Sequence, residues 1–143
     1  MAPALRAAVY VGSAIFVGGS LLLVRRTGEP ARSWEIPGGP VEVRETLDDA
    51  VARTVREKTG LTLPVGPPLF AWTFEAVAGA RRVRCVGVQF LAEIAERVPV
   101  RVAAPGHDGS AWVTEEELAS YRLAPWAEPA IRAAYRSRAP RRG

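Results

Sequence analysis

One hundred and forty-three residues, 48% hydrophobic and 24% charged, describe one ordinary globular domain with chain enough to bury a core, and exclude a disordered or fibrous protein. A single cysteine, Cys85, excludes an internal disulfide, and a single histidine, His107, leaves no His/Cys cluster for zinc. The net charge of +4 argues only weakly for a nucleic-acid partner: Arg136, Arg138, Arg141 and Arg142 supply four positive charges within the last eight residues, and the rest of the chain is formally neutral. Arginine outnumbers lysine so heavily that Lys58 is the only lysine in the chain.

In chain order, Ala7 to Val24 runs eighteen positions without a charge, a length that could span a membrane. Gly12, Ser13, Gly18, Gly19 and Ser20 interrupt the run, and its apolar residues are mostly β-formers. It is therefore expected to be a buried hairpin turning at Gly-Gly-Ser, neither a span nor a signal peptide behind Arg6, in a cytoplasmic protein. Thr27–Ser33 reads as a polar loop, and Trp34–Ile36 as a short strand stopped by Pro37-Gly38-Gly39-Pro40. Thr46 opens a helix that runs to Thr59 and stops at Gly60, with Asp49 three residues on as a short capping box. After the loop Pro64–Pro68, strands over Leu69–Val77 and Arg82–Ile94 are joined by Ala78-Gly79-Ala80, and Cys85 in the second of them reads as a buried, inert thiol.

Pro105–Ser110 is expected to be a loop and Ala111–Val113 a short extended piece. Thr114-Glu115-Glu116-Glu117 is a full capping box opening a helix, and a last helix is expected from about Trp126 to Arg136. One domain over 1–136 with a disordered basic tail over 137–143 follows.

The most specific motif starts in the short Trp34–Ile36 strand and runs through the helix that follows. Trp34-Glu35-Ile36-Pro37-Gly38-Gly39 leads to Gly39, five residues, Glu45, seven residues, then Arg53, Val55, Glu57, Gly60 and Leu61. This spacing resembles the signature of the Nudix hydrolases, with Thr54 and Lys58 where two glutamates of the final cluster stand. The resemblance covers nearly the whole chain and implies an α/β/α sandwich, a mixed sheet flanked by helices. It also implies hydrolysis of a nucleoside diphosphate or related diphosphate joined to a variable group. Such a substrate is dense in negative charge, so Mg²⁺ or Mn²⁺ is expected to neutralise it and activate the attacking water. By the resemblance, Glu57 and the Gly38 carbonyl would hold the metal, and Arg53 and Glu45 would pair to fix the loop against the helix.

Thr54 and Lys58 impair that site. On a helical wheel both fall near the apolar stripe of Leu47 and Val51, with Glu57 to one side near Ala50. Glu42 and Glu45 from the loop, or Glu93 and Glu96 from a strand end, are the carboxylates available as replacement ligands. Lys58 is either structural, paired with Glu57 or Glu45 or reaching outward, or it brings the charge a metal would have brought. His107 and Asp108 lie where Nudix proteins often carry substrate-contacting residues, though a lone loop histidine is more often simply exposed. Phe70, Trp72, Phe74 and Trp126 stack on a base or fill the core, the core being the commoner fate, and Glu115–Glu117 reads as a solvated helix start. Three functions stay open: a hydrolase with an impaired or relocated metal site, a non-hydrolysing module binding a nucleotide-like small molecule, and metal-independent chemistry through Lys58, Glu57 or His107. Neither nucleic acid nor a membrane is an expected partner.

Overall fold

The computed structural model describes residues 8–28 and 32–138. Strands β1 (Ala8–Val17) and β2 (Ser20–Arg26) form the expected hairpin; β3 (Trp34–Glu35), β4 (Gly38–Pro40) and helix α1 (Leu47–Thr59) follow. Then come β5 (Pro68–Ala78), β6 (Arg81–Glu93), β7 (His107–Val113) and helix α2 (Glu128–Arg138). The sheet is mixed: β1 lies parallel to β6, the other pairings between these strands are antiparallel, and one isolated parallel bridge joins Trp34 to Leu123. Its two faces carry separate cores, as the period of two in the hairpin dictates. Val11, Ile15 and Leu22 pack with Ala50, Val51 and Val55 of α1. Phe16, Leu21 and Leu23 pack with Ala130, Ile131 and Ala134 of α2. The molecule is the α/β/α sandwich.

The sheet opens at one point, and strand pairing shows why. β1 and β2 pair only at Phe16↔Leu21 and Val17↔Ser20, beside the turn. Farther along the same edges they diverge: β1 takes β4 at Tyr10–Gly12, and β2 takes β3 at Val24–Arg25. The segment Trp34–Pro40 thus fills the split with its backbone. Such close approach needs glycine, since a Cβ on Gly38 would overlap the Val11 carbonyl and one on Gly12 would overlap Ile36. Sequence reading took Pro37–Pro40 as a strand stop; Gly38–Pro40 is instead a strand whose glycines are the condition for its pairing.

Local signals placed α1 well. The Thr46 hydroxyl accepts from Asp49 N at 3.1 Å, and Gly60 takes φ 74° and donates its N–H to Arg56 O. Other boundaries differ from expectation. β7 starts at His107 because it pairs with β2 from Arg26↔His107 to Leu21↔Val113, a register invisible in a Gly- and Asp-rich stretch. The Thr114 box forms, with Glu117 accepting from Thr114 N and Thr114 Oγ1 from Glu117 N, but it opens only a 3₁₀ turn over Glu116–Ser120. Glu115 to Glu117 are exposed there. α2 begins two residues later than expected and runs on through Ser137 and Arg138. Arg138 is no part of a tail: it pairs with Glu93, donates to Gly18 O at 3.0 Å and lies over the Phe16 ring. Residues 1–7, 29–31 and 139–143, which include part of the first loop and the rest of the basic tail, lie outside the described residues. Among the described residues no helix is long and apolar enough to cross a membrane.

Candidate functional site

The split between β1 and β2 holds a cavity of about 540 Å³. Tyr10, Arg26, Glu35, Gly38–Pro40, Lys58, Phe74 and His107 line it, with Pro125 and Trp126 from the chain entering α2. The glycine-rich segment that forced the strands apart is therefore also one wall of the site.

Beside the cavity, Arg53 organises the loop ahead of α1. Its Nε donates to Glu45 Oε2 at 2.7 Å and its Nη2 to Glu45 Oε1 at 2.9 Å, a two-pronged pair. It also donates to Pro40 O at 2.9 Å and to Glu57 Oε2 at 3.2 Å. The Arg53 guanidinium holds the Glu45 carboxyl down to about 2, helped by the Glu42 N–H. The expected Arg53–Glu45 clamp thus exists as geometry, and Glu57 is drawn into it.

That leaves little for a divalent cation, which the resemblance implies at this helix. Glu57 is 51% exposed, paired with Arg53 and absent from the cavity lining; Glu42 is 67% exposed. Thr54 is buried, and its hydroxyl donates back to Ala50 O at 2.8 Å. Glu93 pairs with Phe16 at the far end of β1 and is engaged by Arg138. Glu96 sits in the exposed loop after β6. Of the expected metal ligands only Gly38 reaches the cavity, and the described residues contain no group of three or more His, Cys, Asp or Glu side chains able to hold a metal. The residues present do not fit a resident metal ion.

Lys58 stands where the charge would have been. It is half-buried in the cavity wall, and among the described residues it has neither a hydrogen bond nor a salt bridge, so the pairings expected with Glu57 or Glu45 are not made. Burial pushes its ammonium below the usual lysine value; Glu35 and Glu57 pull the other way, and Arg26 adds to the lowering.

Opposite it, His107 corrects the expectation of an exposed loop residue. Its side chain and that of Glu35 are each 7% exposed, and Nε2 meets Glu35 Oε1 at 2.5 Å. The other carboxylate oxygen accepts from Trp126 Nε1 at 2.8 Å, with Arg26 Nη1 at 3.5 Å. His107 Nδ1 is buried and has no partner among the described residues. Asp108, next in sequence, is turned to Arg25 at 2.7 Å. Trp72 is core, its Nε1 donating to Trp126 O at 2.8 Å, while Phe74 and Trp126 keep a face on the cavity. Cys85 is buried, and desolvation raises its thiol.

Sequence reasoning missed Glu35, Arg26 and Tyr10 as cavity residues. Glu35 sat inside the motif but read as strand; only the β2–β3 and β2–β7 registers bring it to His107, seventy-two residues away.

A mixed sheet between two helices, split by a glycine-rich segment, with the box helix capped at Thr46 and Gly60, defines a Nudix sandwich. The chain matches the NUDIX domain family over residues 6–134 and belongs to it. It is 38% identical over 63 residues to a MutT-like protein of Streptomyces ambofaciens, an alignment covering 44% of this chain and 40% of that one. It is 40% identical over 58 residues to the ADP-ribose pyrophosphatase of Methanocaldococcus jannaschii, covering 40% of this chain and 34% of the relative. The chain thus spans well under half the length of either curated relative. Among solved structures, the MutT NUDIX hydrolase of Burkholderia pseudomallei superposes with a TM-score of 0.74 at 27% identity, over 90% of this chain and 98% of that one.

Proposed function

We propose that this Nudix chain binds a nucleotide-like diphosphate without a metal ion, using Lys58 as the cation, and that hydrolysis of the family's kind is lost or slight. The observation carrying this reading is the Lys58 ammonium, unpaired among the described residues, in the wall of a cavity that lacks a carboxylate cluster. An ammonium meets a phosphate oxygen as a point charge, and in a partly desolvated wall that contact is stronger than in water. Arg26 adds a second cation to the same cavity, and Phe74 and Trp126 offer aromatic faces to a base. The diphosphate class draws support from the likeness to an ADP-ribose pyrophosphatase. Of the carboxylates expected as replacement ligands, Glu45 and Glu93 are ion-paired and Glu42 is exposed beside Arg53; of the two that line the cavity, Glu35 is held by His107 and Trp126, and Glu75 faces Arg82 at 3.8 Å.

Calorimetric titration with ADP and ADP-ribose, with and without EDTA, tests the reading. Binding is expected to survive chelation, and Lys58→Met to weaken it about tenfold or more, the worth of a charged hydrogen bond. If EDTA abolishes binding while Lys58→Met binds as wild type does, a metal holds the ligand and the reading is wrong.

A further inference from the structure

A lysine side chain usually rests against a carboxylate or in bulk water. Lys58 does neither: it is half-buried in the cavity wall and makes no hydrogen bond or salt bridge among the described residues. The two carboxylates whose charge reaches it are engaged elsewhere. Glu35 is held by His107 at 2.5 Å and Trp126 at 2.8 Å, and Glu57 by Arg53 at 3.2 Å. No ion pair has to break before the amine can react, and burial favours the uncharged form that carries the lone pair.

The rest of the cavity sets what can reach that amine. Tyr10, Phe74 and Trp126 line the same space of about 540 Å³, room for a ring compound. Arg26 lines it too. Its side chain is 37% exposed and meets Glu35 only at 3.5 Å, because His107 and Trp126 hold that carboxylate more closely. The guanidinium is therefore left for an anion.

From this arrangement we infer that Lys58 is a covalent site, taking an aromatic, anion-bearing aldehyde as an imine, with the ring against Phe74 and Trp126 and the anion at Arg26. The inference goes beyond the diphosphate reading and shares only the cavity with it. In the step, the Lys58 ammonium first gives a proton to water. The amine pair attacks the carbonyl carbon, a carbon–nitrogen bond forms, and the carbonyl π pair moves to oxygen. That oxygen takes one proton from the nitrogen and one from water's hydronium, and it leaves as water while the nitrogen pair closes the carbon–nitrogen double bond. One ammonium and one aldehyde give one protonated imine and one water, with no oxidant or reductant.

The probe is pyridoxal 5′-phosphate, a planar aromatic aldehyde with one phosphate, trapped on the protein with borohydride and located by peptide mapping. Because Lys58 is the only lysine, the N-terminal amine serves as the internal reference, and it is a demanding one, its ordinary pKa being about 8. Lys58 is expected to label with saturation and faster than that reference, and ADP to slow the labelling. Pyridoxal, which lacks the phosphate, is expected to need about tenfold more for half-saturation, the worth of one charged hydrogen bond. Arg26→Gln is expected to remove that preference. Three results on wild type overturn the proposal: labelling at the N-terminus alone, Lys58 labelling that rises without saturation, or pyridoxal performing as well as its phosphate. A variant that fails to fold leaves all three readable. Saturable labelling that ADP does not slow keeps the imine and removes the diphosphate from this cavity. ADP binding beside an unlabelled Lys58 keeps the diphosphate and removes the imine.

Discussion

At the scale of single residues, Thr54 and Lys58, one turn apart on α1, meet different surroundings. Thr54 carries a buried hydroxyl that bonds its own helix, and its methyl packs against Gly39. Lys58 places an ammonium in the cavity wall. Both side chains sit on an unbroken α1: the Thr54 hydroxyl bonds Ala50 O, while the Lys58 ammonium lines the cavity unpaired among the described residues. Thr54→Glu/Lys58→Glu, which returns both glutamates, is expected to lose about 3 kcal/mol without metal, since it buries a carboxylate with no partner. Millimolar Mg²⁺ is expected to raise the melting temperature of that double variant and to leave wild type unmoved. A wild-type melting temperature that climbs with Mg²⁺ would show that other residues assemble a metal site.

At the scale of elements, the loop between β4 and α1 is tied to the helix by Arg53. Arg53 reaches Glu45, Pro40 and Glu57 at once, so the loop's geometry depends on one guanidinium. The Glu45 carboxyl sits at about 2 in the folded chain against an ordinary 4.5. A depressed carboxylate stabilises the fold above its unfolded value, and the contribution is lost as pH falls through the folded value. Wild type is therefore expected to lose melting temperature between about pH 4.5 and pH 2, and Glu45→Gln to start lower at neutral pH and lack that slice of the acid transition. Parallel melting curves for the two proteins across this window would remove the clamp from the account.

At the scale of the whole molecule, the cavity sits where the sheet splits, and its far wall depends on how α2 docks. Trp126, just ahead of α2, touches the Glu35 carboxylate, offers its carbonyl to Trp72 and stacks on that ring. Docking is driven by Ala127, Ala130, Ile131 and Ala134 against Phe16, Leu21 and Leu23, with Tyr135 Oη donating to Val113 O at 2.6 Å. Arg138 closes the end of the helix on the β1–β2 turn. Ile131→Ala is expected to lower unfolding free energy by about 2–5 kcal/mol, the range for a fully buried aliphatic. Denaturant unfolding measures it; a change under 1 kcal/mol would mean that α2 contributes little to the fold.

What the sequence determined by itself was local: the hairpin turn at Gly18-Gly19, the caps of α1 at Thr46 and Gly60, and the family through the spacing from Gly39 to Leu61. Turn and capping preferences act within three or four residues, and the hydrophobic period of two in β1 and β2 already implies two faces. That Thr54 and Lys58 would face inward also followed from helical geometry. The sequence could not reveal that Gly38–Pro40 is a strand, because its glycines look like a turn until the Val11 backbone is beside them. Nor did it reveal whether Lys58 would find an acid or that His107 would be buried on Glu35. Those outcomes depend on Arg53 taking Glu45 and Glu57 first, and on β2 carrying β3 and β7 on opposite edges. Pairings between residues dozens of positions apart leave no trace in local propensity, and here they decide which charges the cavity keeps.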